Sequence, residues 1–272
     1  MILISDRKGI FHKIPQQHFP DGTLLSSFPH DIIPTMVEWK YESDAELFTL
    51  ICIAKHYSNC SLKLILEYLP HARQDRVKKP EDVFTLKYFC EVINDLCFES
   101  VWVLDPHSNV SLALLDNVYT LPVEDLINSV IRKINDPELV AFYPDEGAMK
   151  RYSTDINSLP YAFGIKKRDW ATGKIEGLQL MNETIVKDKN VLIIDDICSR
   201  GGTFYHSAKA LKAAGAKNIY LYITHAENTM VDGEMYNDPD LIKAIFTTSS
   251  IFNKDIDKLD KVFIVKQRRD NK

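Results

Sequence analysis

The sequence predicts an α/β fold with two similar halves, in which mostly parallel β-sheets are flanked by helices. Short apolar runs rich in β-branched residues alternate along the chain with longer segments of helical periodicity. Strands that alternate with helices are typical of βαβ units, whose consecutive strands lie parallel. A chain of 272 residues with 45% hydrophobic side chains is long enough for two such domains of ordinary size.

The alternation predicts each element in order along the chain. Strands are predicted at residues 1–5, 62–69, 101–105, 139–143, 161–165, 191–195, 219–224 and 244–248. Helices are predicted at residues 43–57, 83–96, 123–134, 148–155 and 203–214, the last of which stops at Gly215. We place the boundary between the domains at residue 135, because Asn135, Asp136 and Pro137 break the helical pattern. The predicted domains are therefore 1–135 and 136–272.

Charge, cysteine usage and hydropathy narrow the class of protein. The net charge of −5 argues against nucleic acid as the main partner. The cysteines show neither C-x-x-C pairs nor zinc-site spacing, so we expect reduced thiols in a cytoplasmic protein, with Cys198 as a small buried side chain. No signal peptide is expected, and no apolar run approaches ~18 residues, so no membrane span is expected either.

The most informative segment of the chain is the run from residue 191 to residue 203. Four apolar residues lead into Asp195 and Asp196, and a loop with Gly201 and Gly202 follows before the hydroxyl residue Thr203. A buried strand, a glycine loop and a helix N-terminus together form an anion site, and adjacent carboxylates can bind sugar hydroxyls. The alternative is an ordinary βα turn, but two adjacent acids repel each other unless a ligand uses them. The segment therefore predicts a sugar-phosphate site.

The same segment resembles the ribose-5-phosphate loop, D-D-I-I-D-T-A-G-T, of phosphoribosyltransferases and ribose-phosphate diphosphokinases. The run EYLPHARQDR at residues 67–76 resembles the diphosphokinase run Y-x-P-Y-A-R-Q-D-R, which transferases lack. Further resemblances to that family are FPDGT at residues 19–23, LDPHSN at 104–109 and YPDEGAMKR at 143–151. The chain thus resembles the ribose-phosphate diphosphokinase (PRPP synthetase) family, which implies two tandem phosphoribosyltransferase-like (type I) domains.

The resemblance implies a reaction and two substrates. The β,γ-diphosphoryl group of ATP would pass to the anomeric hydroxyl of ribose 5-phosphate, giving PRPP and AMP. On the acceptor side, the acids would bind ribose hydroxyls and the loop would bind the 5-phosphate. The sugar-phosphate residues are Asp195, Asp196, Ser199, Arg200, Gly201, Gly202 and Thr203.

On the ATP side, the resemblance implies nucleotide contacts, metal ligands and catalytic cations. The ATP-binding residues are Phe19, Asp21, Arg73, Gln74, Asp75 and His107. His107 and Asp145 match the family's Mg²⁺ ligands, and Mg²⁺ accepts a few protein ligands completed by substrate phosphates. The catalytic candidates are Lys166, Lys167 and Arg168, of which the two lysines cannot be distinguished by spacing. Residues 169–174 would follow them as a closing lid.

The chain departs from the family pattern in ways that leave alternatives open. The usual loop has an acid where this chain has Ser199, and Arg200 adds a positive charge, so this loop is more positive by two charges. The acceptor could therefore be ADP-ribose instead, as in NAD salvage. A PRPP-using phosphoribosyltransferase and a non-catalytic synthetase-associated protein are the alternative functions. The chain is shorter than the family pattern at both ends, so we do not assume the family's hexamer. We expect a homo-oligomer, a dimer or higher.

Overall fold

The computed structural model describes residues 1–154, 156, 158–168 and 175–266, except the side chains of residues 166–168 and 175–177. By its contacts the chain divides into two compact units, Met1–Pro122 and Val123–Lys272. Each unit has a β-sheet with flanking helices and a hydrophobic core of its own. Most neighbouring strands lie parallel, which confirms the predicted α/β class.

The first unit is built on a sheet whose strand order is β2-β1-β5-β6-β7-β8. Its strands are β1 (Ile2–Asp6), β2 (Phe11–Ile14), β3 (Gln17–His18), β4 (Leu24–Leu25), β5 (Pro34–Trp39), β6 (Lys63–Leu66), β7 (Ser100–Leu104) and β8 (Val118–Leu121). Its helices are α1 (Ala45–His56), α2 (Thr85–Asp95) and α3 (Asn109–Leu114). Strands β5 to β8 are parallel, β1 pairs antiparallel with both of its neighbours, and β3 and β4 form a separate hairpin.

The second unit has a sheet with the strand order β11-β10-β9-β12-β13-β14-β15. Its strands are β9 (Val140–Tyr143), β10 (Tyr161–Arg168), β11 (Ile175–Met181), β12 (Val191–Cys198), β13 (Ile219–Ala226), β14 (Ala244–Thr247) and β15 (Val262–Ile264). Its helices are α4 (Glu124–Ile134), α5 (Glu146–Tyr152), α6 (Gly202–Ala213) and α7 (Glu234–Asn237), with 3₁₀ turns at Glu183–Val186, Asn228–Asp232 and Ile256–Lys258. Only the β10–β11 pair is antiparallel among the strand pairs of this unit that the structure describes.

Helix α4 explains why the contact boundary differs from the boundary at residue 135. Its sequence favours a helix, with Glu124 in the first turn, Arg132 in the last turn and Asn135 at φ 52° as its left-handed end. The sequence break at Asn135 marks that end, but a helix end does not say on which unit the helix packs. Lys133 lies over the ring of Phe246, 6.0 Å from its centroid, and α4 belongs to the second unit.

The central strands of the second unit place the acidic segment at one edge of the sheet. Val191 of β12 is in register with Val140 of β9 and with Ile219 of β13, all three strands being parallel. Residues that follow these strands therefore lie at the common carboxyl edge, which is where open α/β sheets bind ligands. None of the helices in the described ranges has the length and hydropathy of a membrane span.

Candidate active site

An acid pair bridged by one arginine lies at the carboxyl end of β12. The side chains of Asp195 and Asp196 are 14% and 4% exposed. Arg151, from the last turn of α5, donates from Nη2 to Oδ1 of Asp196 at 2.9 Å and reaches Oδ1 of Asp195 at 3.5 Å. The backbone N–H of Asp196 also donates to Oδ1 of Asp195, at 3.0 Å. The guanidinium of Arg151 thus contacts both of the adjacent carboxyl groups.

The electrostatics at Asp195 favour a ligand that neutralises or hydrogen-bonds its carboxylate. Burial raises the pKa of Asp195 well above its ordinary value, and the charge of Asp196 raises it further. The Arg151 guanidinium opposes this increase in pKa, whereas the charge of Asp145 adds to it. Asp145 lies at the start of α5, where its Oδ1 accepts a hydrogen bond from the backbone N–H of Ala148 at 3.1 Å.

The loop after the acid pair turns directly into the N-terminus of α6. Gly201 has φ 76°, the left-handed region that favours glycine, and α6 begins at the next residue. Gly202 differs, because its φ is not positive and a Cβ placed there would meet no heavy atom within 4 Å. The fold itself therefore does not require a glycine at position 202. Unpaired N–H groups of a first helical turn, next to a residue without a side chain, suit a closely approaching anion.

Cys198 is the last residue of β12, next to this loop, and has the character of a buried packing residue. Its side chain is 1% exposed, and burial, as the largest cause, raises the pKa of its thiol to about 12. A thiol with such a pKa is protonated at neutral pH and is a poor nucleophile. These properties match the expected role of a small buried side chain.

In the first unit, the segment that contains Arg73 and Gln74 is anchored through Asp75. Arg76 donates from Nε and Nη2 to the two oxygens of Asp75 at 2.6 and 2.9 Å. Ser108, next to His107 in the loop after β7, donates from Oγ to Oδ2 of Asp75 at 2.9 Å. The hydrogen bonds of Arg76, as the largest cause, lower the pKa of Asp75. The buried Asp75 carboxylate therefore joins two of the predicted ATP-binding segments to each other.

The remaining predicted ATP residues lie on surface segments of the first unit. Gln74 accepts a hydrogen bond at Oε1 from Thr85 Oγ1 at 2.6 Å, and Arg73 is exposed. Phe19 lies in the turn between β3 and β4, with 49% of its surface exposed. In the same turn, Asp21 Oδ1 accepts hydrogen bonds from the backbone N–H and Oγ1 of Thr23 at 2.9 and 2.7 Å.

The predicted catalytic cations lie on β10, which pairs antiparallel with β11 in the second unit. Lys166, Lys167 and Arg168 form the end of β10, where Lys166 pairs with Leu178 and Lys167 with Gly177 of β11. Their side chains, and the predicted lid at residues 169–174, lie outside the described part of the chain.

Known proteins are similar to this chain in sequence and in fold. Residues 144–255 match the phosphoribosyl transferase domain family. The chain is 28% identical to a ribose-phosphate pyrophosphokinase of Saccharolobus solfataricus over 78% of its own length and 76% of the relative. It is 29% identical to a ribose-phosphate pyrophosphokinase of Mycoplasma genitalium over 88% of its length and 75% of the relative. The crystal structure of phosphoribosylpyrophosphate synthetase from Mycobacterium smegmatis superposes with a TM-score of 0.76 at 16% identity, covering 93% of this chain and 85% of that one.

The chain is thus similar to ribose-phosphate pyrophosphokinases along most of its length, and it has the fold of a phosphoribosylpyrophosphate synthetase. In the second unit, the structure brings Asp195, Asp196 and the loop 199–203 together at one sheet edge, and Asp145 contributes to the electrostatics of the same edge. Arg151 was not predicted as a site residue, although it closes the segment YPDEGAMKR. Arg151 could have been found from the sequence, because it is an arginine six residues after Asp145 in a segment that resembles the family.

Proposed function

We propose that this chain is a Mg²⁺-dependent pyrophosphokinase that transfers the β,γ-diphosphoryl group of ATP to ribose 5-phosphate, giving PRPP and AMP. The observation that carries the proposal is the arginine-bridged acid pair of β12 followed by a glycine loop whose Gly202 faces open space. That arrangement offers carboxylates for ribose hydroxyls and backbone N–H groups for a phosphate. The relatives named ribose-phosphate pyrophosphokinase support the same reaction.

The acceptor is bound at both of its ends in this proposal. Arg151 and the backbone N–H of Asp196 both donate to Oδ1 of Asp195, and we assign the Asp195 carboxylate to a ribose hydroxyl. The first turn of α6, including Gly202 and Thr203, binds the 5-phosphate through its N–H groups. Ser199 and Arg200 add a hydroxyl and a charge to the same loop.

The chemical step forms one bond and breaks one bond. The anomeric oxygen of the acceptor attacks the β-phosphorus of ATP, the bond between the β-phosphorus and its bridging oxygen to the α-phosphate breaks, and AMP leaves with that oxygen. The hydroxyl proton passes to solvent. Such transfers depend mainly on positioning and on neutralising the phosphate charge. We assign the neutralising cations to Lys166, Lys167 and Arg168, without distinguishing between the two lysines.

Mg²⁺ is proposed as the metal cofactor, and the candidate Mg²⁺ ligands are Asp145 in the second unit and His107 in the first unit. Both side chains are partly exposed, and each follows the carboxyl end of a parallel strand. The Oδ1 of Asp145 caps α5, and carboxylate oxygens are suitable Mg²⁺ donors. When bound, Mg²⁺ supplies charge neutralisation to the transferring phosphates.

The nucleotide site is assigned to the first unit. Arg73 and Gln74 bind ATP, with Asp75 supporting them from behind through its bonds to Arg76 and Ser108. Phe19 and Asp21 contact the adenine from the β3–β4 hairpin. Because a ring as exposed as that of Phe19 covers apolar surface when it meets a second subunit, we propose a homo-oligomer, a dimer or higher.

ADP-ribose is the second acceptor that an observation favours. The Arg200 side chain is exposed at the loop, and Gly202 leaves open space beside it. In ADP-ribose the 5-phosphate is joined to a second phosphate. The ligand therefore needs room to extend out of the loop and a cation for that second phosphate. Ribose 5-phosphate remains the first assignment, because the relatives are named for it.

The experiment is to incubate the protein with Mg-ATP and either ribose 5-phosphate or ADP-ribose, and to identify the products by mass. The proposal predicts AMP and a diphosphorylated sugar in equal amounts, and the acceptor that gives them is the substrate. The variant Asp195→Ala/Asp196→Ala should lose acceptor binding and keep ATP binding. Release of pyrophosphate from PRPP in the presence of a nucleobase, without AMP formation from ATP, would instead show a phosphoribosyltransferase.

A further inference from the structure

Residues 227–235, which we call the buttress segment, contact the sugar-phosphate loop residue by residue. The segment follows β13 and includes a 3₁₀ turn and the start of α7. The backbone N–H of Glu227 donates to the carbonyl of Cys198 at 2.8 Å. One residue further along the loop, Oγ of Ser199 lies 3.5 Å from Oγ1 of Thr229. The two segments therefore run side by side from the end of β12 onwards.

The closest approach is between Gly233 and the carbonyl oxygen of Arg200. A Cβ at position 233 would lie 1.9 Å from that oxygen, far inside any permitted contact. The neighbour is backbone, so no side-chain rotation could relieve the overlap. Gly233 has φ −89° and ψ 157°, a conformation that any residue adopts. Glycine is therefore needed at this position for the close approach and not for its backbone freedom.

The next loop residue is supported from the same segment. A Cβ at Gly201 would lie 3.0 Å from both Sδ and Cε of Met235, whose side chain is fully buried. Met235 thus packs directly beneath the left-handed residue of the loop. Loop residues 198 to 201 each have a counterpart in the buttress segment, in the same order along the chain.

We propose that Gly233 is a positioning residue for the acceptor phosphate, because it sets the place of the Arg200–Gly201 peptide from which α6 begins. This inference rests on the proposed function of the loop. A phosphate bound by backbone N–H groups requires them to converge on one point, and a displacement of about 1 Å in a positioning element can reduce a rate roughly 100-fold. A Cβ at position 233 displaces this peptide while leaving the acid pair and the ATP segments in place.

The test compares Gly233→Ala with Gly215→Ala in the whole 272-residue chain. Gly215, at the far end of α6, has φ 91°, so its substitution strains the same unit without contacting the loop. Ribose 5-phosphate and Mg-ATP binding are measured separately by calorimetry, together with KM for each substrate and the unfolding temperature. Gly233→Ala should weaken ribose 5-phosphate binding roughly 10- to 100-fold with unchanged ATP binding, whereas Gly215→Ala should lower only the unfolding temperature. Equal ribose 5-phosphate affinity in the two variants would overturn the proposal.

A second pair of variants keeps the test decisive where Gly233→Ala does not fold. Met235→Ala removes the support beneath Gly201, and Met230→Ala removes an equally buried methionine of the same segment. Ribose 5-phosphate binding weaker in Met235→Ala than in Met230→Ala supports the proposal, and equal binding overturns it. Wild-type protein that binds ribose 5-phosphate without releasing AMP from ATP would refute the proposed reaction, yet the binding comparison would still decide the role of the buttress segment.

Discussion

Nη2 of Arg151 lies 2.9 Å from Oδ1 of Asp196 and 3.5 Å from Oδ1 of Asp195. The guanidinium comes from α5 and the acids come from β12, so the bond also fixes this helix against the sheet edge. The ring of Tyr152 lies 5.3 Å from the same guanidinium and limits where it can move. Contacts within the protein thus hold the acid pair of the proposed acceptor site.

Replacing Arg151 by methionine should damage both stability and acceptor binding. The variant retains the apolar stem but removes the guanidinium that contacts the two adjacent carboxyl groups. We expect a loss of about 1.5–3 kcal/mol in the free energy of unfolding, the usual range for hydrogen bonds to charged groups. Denaturant unfolding and calorimetry with ribose 5-phosphate measure the two effects. Arg151→Lys should recover part of the stability, and a methionine variant as stable as wild type would show that the bridge contributes nothing.

The ionised side chain of Asp195 should destabilise the folded protein at neutral pH, although we propose that it binds the acceptor. Its pKa is raised above the ordinary value of 3.8, chiefly by burial, so the folded state binds the proton more tightly than the unfolded state. Stability is therefore lost as the pH rises from about the ordinary pKa through the raised folded pKa. Asp195→Asn removes this loss, so the variant should have a higher unfolding temperature than wild type at pH 7 and should not bind the acceptor.

The matched control for this prediction is Asp196→Asn. Asp196 is more deeply buried and accepts the shorter bond from Arg151, so its substitution should lower the unfolding temperature. Thermal unfolding is followed between pH 5 and 8 in buffer with a chelator, so that no metal contributes. The advantage of Asp195→Asn should shrink toward low pH. An advantage that grows as the pH falls would have the wrong sign for a raised pKa.

Gly202→Ala should separate ligand binding from folding. A Cβ at this position would lie in open space, and the backbone conformation there is one that alanine can adopt. The unfolding temperature should therefore stay within about 2 °C of wild type. The added methyl group would instead meet the phosphate, and KM for ribose 5-phosphate should rise about tenfold or more. Gly201→Ala is the contrasting variant, because φ 76° and Met235 should make it less stable. An unchanged KM for ribose 5-phosphate in Gly202→Ala would show that the phosphate does not bind at this part of the loop.

Ser108→Ala should affect ATP and not the acceptor. The hydroxyl of Ser108 donates to buried Asp75, which holds the segment containing Arg73 and Gln74. Removing this donor leaves the buried Asp75 carboxylate with one hydrogen bond fewer and loosens that segment. The free energy of unfolding should fall by about 1–3 kcal/mol. Calorimetry should show weaker Mg-ATP binding with unchanged ribose 5-phosphate binding. Ser111→Ala, in the neighbouring helix α3, is the control, and equal ATP affinities in the two variants would contradict the role of Asp75.

The sequence predicted the position of the acid pair because local chemistry determines it. Four apolar residues require a buried strand, and the acids that follow must lie at its carboxyl edge whatever the rest of the chain does. Strand β12 was therefore predicted from Val191, and only its end, at Cys198, lies beyond the predicted range. The parallel strands β6, β7, β9, β13 and β14 were predicted for the same reason.

Other parts of the structure depend on pairings that no local pattern encodes. Strand β2 has the mixed sequence Phe-His-Lys-Ile, and it forms only because β1 pairs with it antiparallel. Arg151 lies 44 residues from Asp195 in the sequence, so their contact follows from the packing of α5 beside β12. Gly233 gives no sequence signal at all, because its requirement arises from a carbonyl in another segment.

The most direct test of the account uses ATP labelled at its β-phosphorus with ribose 5-phosphate as acceptor. Transfer of the β,γ-diphosphoryl group predicts that the label appears in the sugar product and that AMP forms in equal amount. Label that remains in ADP, with only the γ-phosphate on the sugar, would show an ordinary phosphoryl transfer and contradict the proposed pyrophosphokinase reaction.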